Sequence, residues 1–235
     1  MCTVSYLPTS LGFILTSNRD EWERRLPALA PQKYIVHNTE VSFPKDQQAQ
    51  GTWIAISEAF SLCLLNGAFV KHIQQPPYRL SRGIMLLDFF KYNDPRAFAN
   101  NYNFEGIEPF CLLIISNTNL EFYEYRWDGS ILHQTKIDSS IPHIWSSVTL
   151  YTDEIILQRK RWFQEWLDSH KHFSVDEITH FHQFAGEGDE ENNVLMKRNN
   201  GIQTVSITSI ELENKKLSMK YNDLLKNAEF NSIIV

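Results

Sequence analysis

The order of strand-like and helix-like segments constrains this chain more than any other feature. Residues 2–7 (CTVSYL) alternate, Pro8 to Gly12 supply a turn, and residues 13–17 (FILTS) form a second β-rich run, so the chain opens on a β-hairpin. A second hairpin is predicted from TWIAIS, a turn at Glu58–Ala59, and FSLCLLN. Residues 24–50, broken by Pro27, Pro31 and Pro44, read as an irregular surface excursion. Residues 82–92 have helical spacing with Ser81 as N-cap, and Asp94–Pro95 is a helix start, a cap followed by proline in the first turn. Strands return at 109–116 and 120–127, and Asp128–Gly129 turns the chain into ILHQTKI. Amphipathic spacing over 153–168, capped by Thr152, and the capping-box pattern from Ser174 to Glu177 predict two more helices. Two last strands, QTVSITSIEL and KLSMKYND, meet at Glu213–Asn214–Lys215. Strands, helices, strands, helices, strands is an α+β order built on antiparallel hairpins, in which helices cover two sheets packed face to face. No internal repeat or linker divides it, so 1–235 is read as one domain.

Charge narrows the partners. With 22 basic against 28 acidic residues the net charge is −6, and no basic stripe offers an electrostatic footprint for nucleic acid. No apolar run is long enough for a membrane-spanning helix, and no basic-then-apolar leader precedes Arg19. Three cysteines at scattered positions do not make a disulfide framework, which fits a reducing, cytoplasmic location. Cys63 and Cys111 sit inside apolar runs and read as buried hydrophobes, whereas Cys2 stands at the terminus.

That position carries the chemistry. Removal of Met1 before a small second residue would leave Cys2 with a thiol nucleophile and a free α-amine whose ordinary pKa is about 7.7–8.0. A hairpin turn centred near Ser10 places Cys2 opposite Ser17, Asn18 or Arg19, so the run Asn18–Arg19–Asp20–Glu21 lands beside the terminal residue. Arg19 is suited to lowering the thiol pKa or binding a carboxylate, Asp20 to holding the amine, and Asn18 to donating to an oxyanion or tethering backbone.

The Met-Cys start followed by Ser17–Asn18–Arg19–Asp20–Glu21 resembles the NRDE family, also called the transport and Golgi organization 2 family. Gly51–Thr52–Trp53 with the following strand, Leu65–Asn66, Ser81–Arg82–Gly83 and Thr204–Val205 extend the likeness over nearly the whole chain. The resemblance implies an N-terminal-nucleophile-type, four-layer αββα sandwich, related by pattern to the bile-salt and penicillin-V amidases. It implies Cys2 as nucleophile with Arg19, Asp20 and Asn66 in support, Asn18 standing in for Arg19 where the two exchange roles. Trp53, Arg82 and Ser147 are implied as substrate contacts, Ser147 standing where the family has an asparagine. On this reading the chain is an amide hydrolase for a small N-acyl compound that uses no metal or organic cofactor. The alternative the resemblance implies is a non-catalytic ligand-binding or trafficking protein linked to haem or membrane lipid.

Two further features are weighed as structural. His170, His172, His180 and His182 cluster in sequence, but the two-residue spacing of His180 and His182 sends them to different helix faces. Arg159–Lys160–Arg161 reads as the charged outer face of an amphipathic helix.

Overall fold

The computed structural model describes residues 3–233. Its strands form a six-stranded and a seven-stranded sheet, antiparallel at each pairing between strands. The first sheet contains β1 (Thr3–Thr9), β2 (Gly12–Trp22), β10 (His143–Ser146), β11 (Ile202–Glu213), β12 (Lys216–Asp223) and β13 (Ala228–Ile233), in the order β10-β1-β2-β11-β12-β13. The second runs in sequence order from β3 (Leu29–Val36) and β4 (Thr39–Lys45) through β5 (Ile54–Ile56), β6 (Phe60–Asn66), β7 (Phe110–Ser116) and β8 (Phe122–Trp127) to β9 (Leu132–Ile137).

Strand alternation builds the layers. Val4, Tyr6, Phe13 and Leu15 of the first sheet meet Ile54, Ile56, Cys63, Cys111 and Leu113 of the second in a central apolar core. The other face of the second sheet, with Leu62, Leu64, Leu112 and Ile114, is covered by α1 (Arg82–Asp88), a 3₁₀ turn at Phe89–Lys91, and α2 (Pro95–Asn101). The other face of the first sheet, with Leu7 and Ile14, is covered by α3 (Asp153–Ser169) and α4 (Val175–Phe184) through Trp162, Phe163, Ile178 and Phe181. The result is a four-layer αββα sandwich. The helix caps are those the sequence marks: Ser81, Asp94, Thr152 and Ser174 each accept a backbone N–H from three residues ahead.

The structure differs from the sequence reading in three places, of which the first two share a cause. Residues 24–50 are not an irregular excursion, because β3 and β4 form a hairpin turned by His37 and Asn38, both at positive φ. β10 and β13 are additional strands. Three of these elements, β3, β10 and β13, are sheet edges. Half-exposed edge strands carry no clean apolar alternation, so period-two reading passes over them. The third difference is in α3, where Arg159 is not on the outer face but fully buried.

The opening hairpin matters most for the site. Thr9 faces Gly12, which fixes the register so that Thr3 faces Asn18. β2 is flanked by β1 on one side and β11 on the other. A bulge at Val205 shifts the pairing so that Thr204 faces Asp20 and Ser206 faces Arg19.

Candidate active site

Arg19 and Asp20, adjacent on β2, diverge as strand neighbours must. Arg19 turns toward the second sheet. Its guanidinium lies 4.5 Å from the Trp53 ring centroid and 2.5 Å from the Asp46 carboxylate. Asp46 is the fixed point of this corner. It accepts the Gln48 and Ala49 backbone N–H groups at 3.0 and 2.7 Å and binds Arg25 through both oxygens at 2.9 and 3.2 Å. Burial pushes its carboxyl up, but the Arg25 and Ala49 hydrogen bonds and the Arg19 charge hold it below its ordinary range. Nothing about Asp46 in the sequence distinguishes it from an ordinary turn residue.

Asp20 turns the other way. One oxygen accepts the Thr204 hydroxyl at 2.6 Å and the other accepts the Tyr151 phenol at 2.8 Å. The bulge at Val205 delivers Thr204 to it, whereas Tyr151 comes from a loop that sequence reasoning gives no cause to single out.

Asn18 is buried on the helical side of β2. Its amide nitrogen donates to the His182 and Val194 carbonyls at 3.2 and 2.9 Å, and its oxygen lies 2.7 Å from His182 Nδ1. Nδ1 therefore carries the proton and Nε2 accepts from the Ser5 hydroxyl at 2.8 Å. Burial first, and the Arg159 charge second, lower the His182 pKa to about 3. Of the two roles the sequence offers Asn18, the side chain performs the backbone tether. His180 instead packs against Phe184, the rings tilted by 43°, so the two helical histidines do face apart.

Arg19, Asp20, Trp53, Asn66 and Arg82 line one cleft of about 920 Å³. Its wall is shaped by glycines: a Cβ on Gly51 would sit 2.4 Å from the Gly83 carbonyl carbon, so the GTW and SRG segments touch backbone to backbone. Arg82 pairs with Glu108 at 3.0 Å. Trp53 is 4% exposed, and its indole N–H has no hydrogen-bond partner among the described residues. Asn66 ends β6, and its backbone carbonyl accepts the Ser147 hydroxyl at 2.8 Å. Ser147 is thus placed behind Asn66 and is not among the cleft-lining residues. Cys2 lies outside the described residues. Cys63 and Cys111 are buried in the central core, and burial pushes the Cys63 thiol up to about 12, far from a nucleophile's range.

A family model described as Transport and Golgi organisation 2 matches residues 1–223. The chain belongs to the Transport and Golgi organisation 2 family. No curated protein sequence matches it. Among solved structures, it is similar to a variant of conjugated bile acid hydrolase from Clostridium perfringens, with a TM-score of 0.58 and 12% identity, over 99% of this chain and 92% of that one. At that identity the likeness is one of fold, that of the N-terminal-nucleophile hydrolases. This member of the Transport and Golgi organisation 2 family therefore has a hydrolase-like scaffold. Among its described residues, no helix is long and apolar enough to cross a membrane.

Proposed function

We propose that the cleft is the active site of an N-terminal-cysteine hydrolase acting on a linear amide of a small N-acyl compound. The observation that carries this reading is convergence: Arg19, Asp20 and Asn66 line one cleft, and the first described residue, Thr3, pairs with Asn18, the strand neighbour of Arg19. Cys2 is one peptide bond, and so about 3.8 Å between Cα atoms, from Thr3.

After loss of Met1, the α-amine takes the Cys2 thiol proton and the sulfur attacks the amide carbonyl. Asp20 holds that amine by accepting its hydrogen bond. The Asn66 amide donates to the oxyanion. Collapse expels the amine leaving group, which takes the proton from the α-amine, and water then hydrolyses the thioester. Arg19, fixed between Trp53 and Asp46, supplies positive charge that favours the thiolate.

The test is the mass of the purified chain and of its adduct with reactive acyl amides. The expected result is a terminus lacking Met1, a single acyl adduct on Cys2, and no turnover in Cys2→Ala. Quantitative retention of Met1 in cells, or full turnover in Cys2→Ala, overturns the reading.

A second reading, a haem- or lipid-related binding protein on the same scaffold, is favoured by Ser147, whose hydroxyl is already committed to the Asn66 carbonyl. A haem titration separates the two: a Soret shift with stoichiometric binding and no turnover supports the second, and an unchanged spectrum at micromolar protein removes its haem version.

A further inference from the structure

Among the described residues, Arg159 is the largest fully buried side chain, and no carboxylate there lies within ion-pair distance of it. A buried guanidinium without a counter-ion is costly, so its surroundings must hold it firmly. Nε and Nη2 donate to the Asn192 carbonyl at 3.2 and 3.0 Å, and Nη2 also donates to the Asn193 carbonyl. Nη1 donates to Thr3 Oγ1, at the first described residue of β1. The guanidinium carbon sits 3.7 Å from the centroid of the Tyr151 ring, and that phenol donates to Asp20. One cation is therefore bound to the start of β1 and stacked on the group that holds Asp20.

The remaining charged and titratable groups at this end are accounted for. Arg19 is bound to Asp46, with Glu21 3.7 Å away. Arg198 lies 5.3 Å from the Tyr151 ring, and its guanidinium donates to the Leu150 carbonyl. His182 is neutral, buried between Asn18 and Ser5. Arg159 is therefore a second cation, beside Arg19, that acts with Asp20 on the start of β1.

We propose that Arg159 and Tyr151 are positioning residues for the N-terminal nucleophile, the guanidinium clamping the start of β1 and the phenol orienting Asp20 toward it. This rests on Cys2 being the nucleophile. The clamp has an electrostatic consequence of definite sign. Removing the cation disfavours the thiolate. Removing the phenol withdraws a hydrogen bond that offsets the Asp20 charge, and this disfavours the thiolate too.

The experiment is the rate of Cys2 alkylation by iodoacetamide against pH, read by peptide mass on the full chain. Cys63 and Cys111 are 0% and 3% exposed, so labelling there reports unfolding and nothing else. The expected midpoint is about one pH unit higher in Arg159→Met, a roughly tenfold slower reaction on the acid side, and close to wild type in Arg159→Lys. Tyr151→Phe keeps the ring under the guanidinium and raises the midpoint in the same direction by a smaller amount, which decides the matter should Arg159→Met fail to fold. A purely structural role lowers the melting temperature and leaves every midpoint in place, and that result overturns the proposal. If wild-type Cys2 itself titrates as an ordinary thiol near pH 8.5, or Met1 is retained, the hydrolase reading fails instead.

Discussion

Replacing Asp46 with alanine is expected to destabilise the protein by about 3 kcal/mol, toward the lower end of what removing one partner of a buried ion pair costs. The Arg19 side chain is 5% exposed, so its charge cannot turn to water when Asp46 is gone. Glu21, 3.7 Å from Arg19 and 3.4 Å from Arg25, recovers part of the loss, which is why the lower end applies. Arg25 is about a quarter exposed and adds little. The two backbone N–H groups of Gln48 and Ala49 also lose their acceptor. For a chain of this size the melting temperature should fall by roughly 10 °C, measured by thermal unfolding at neutral pH.

The same carboxylate has a pH signature. Its pKa in the folded protein lies below the ordinary carboxylate value, so it contributes stability above that value and loses it as pH falls through the folded one. The stability difference between wild type and Asp46→Asn should therefore close in acid. A gap that persists unchanged at low pH would show that Asp46 acts through shape and not charge. Because Arg19 lies between Asp46 and Trp53, either substitution should also loosen the cleft wall, visible as a change in Trp fluorescence.

His182 gives the second large effect. The unfolded chain protonates this histidine near pH 6.5, whereas the folded protein does so only at about 3. Between those values the unfolded state binds one more proton, so stability falls as pH falls. The contribution is complete above about pH 6.5 and declines by about 1.4 kcal/mol per pH unit below it, or about 2 kcal/mol by pH 5. Urea unfolding of wild type and His182→Gln at pH 7 and pH 5 isolates the term. The variant starts less stable, since Asn18 and Ser5 lose a matched partner, and should lose about 2 kcal/mol less on going to pH 5. Equal losses in both proteins would show that His182 is protonated or solvated in the folded state. Asn18 joins β2 to this histidine, so the same acidification should loosen the helical layer behind the strand that carries Arg19 and Asp20.

Much of the molecule is written locally. The caps at Ser81, Asp94, Thr152 and Ser174 and the turns at Asp128–Gly129 and Asn214–Lys215 involve hydrogen bonds or backbone angles within a few residues, and residue type alone selects them. The opening hairpin follows in the same way. A two-residue turn between Thr9 and Gly12 leaves no choice of partner for Thr3. The GTW and SRG segments carry a subtler mark, two glycines at which a side chain would collide with the other segment's backbone, though only the fold shows that they collide with each other.

What sequence determined, then, is the succession of most elements and an opening hairpin, its register narrowed to three neighbouring choices, that carries Asn18, Arg19 and Asp20 on its second strand. The tertiary structure alone decided which groups those side chains meet. Asp46 reaches Arg19 across 27 positions, Tyr151 reaches Asp20 across 131, and Arg159 reaches Thr3 across 156. It also decided that Arg159 turns inward from a helix whose neighbours are charged, and that β3, β10 and β13 complete the sheet edges. The physical reason is common to all of these. A cap or a turn is chosen by bonds within one segment, whereas a buried charge or an edge strand is stabilised by partners that other parts of the chain supply only after the layers have packed.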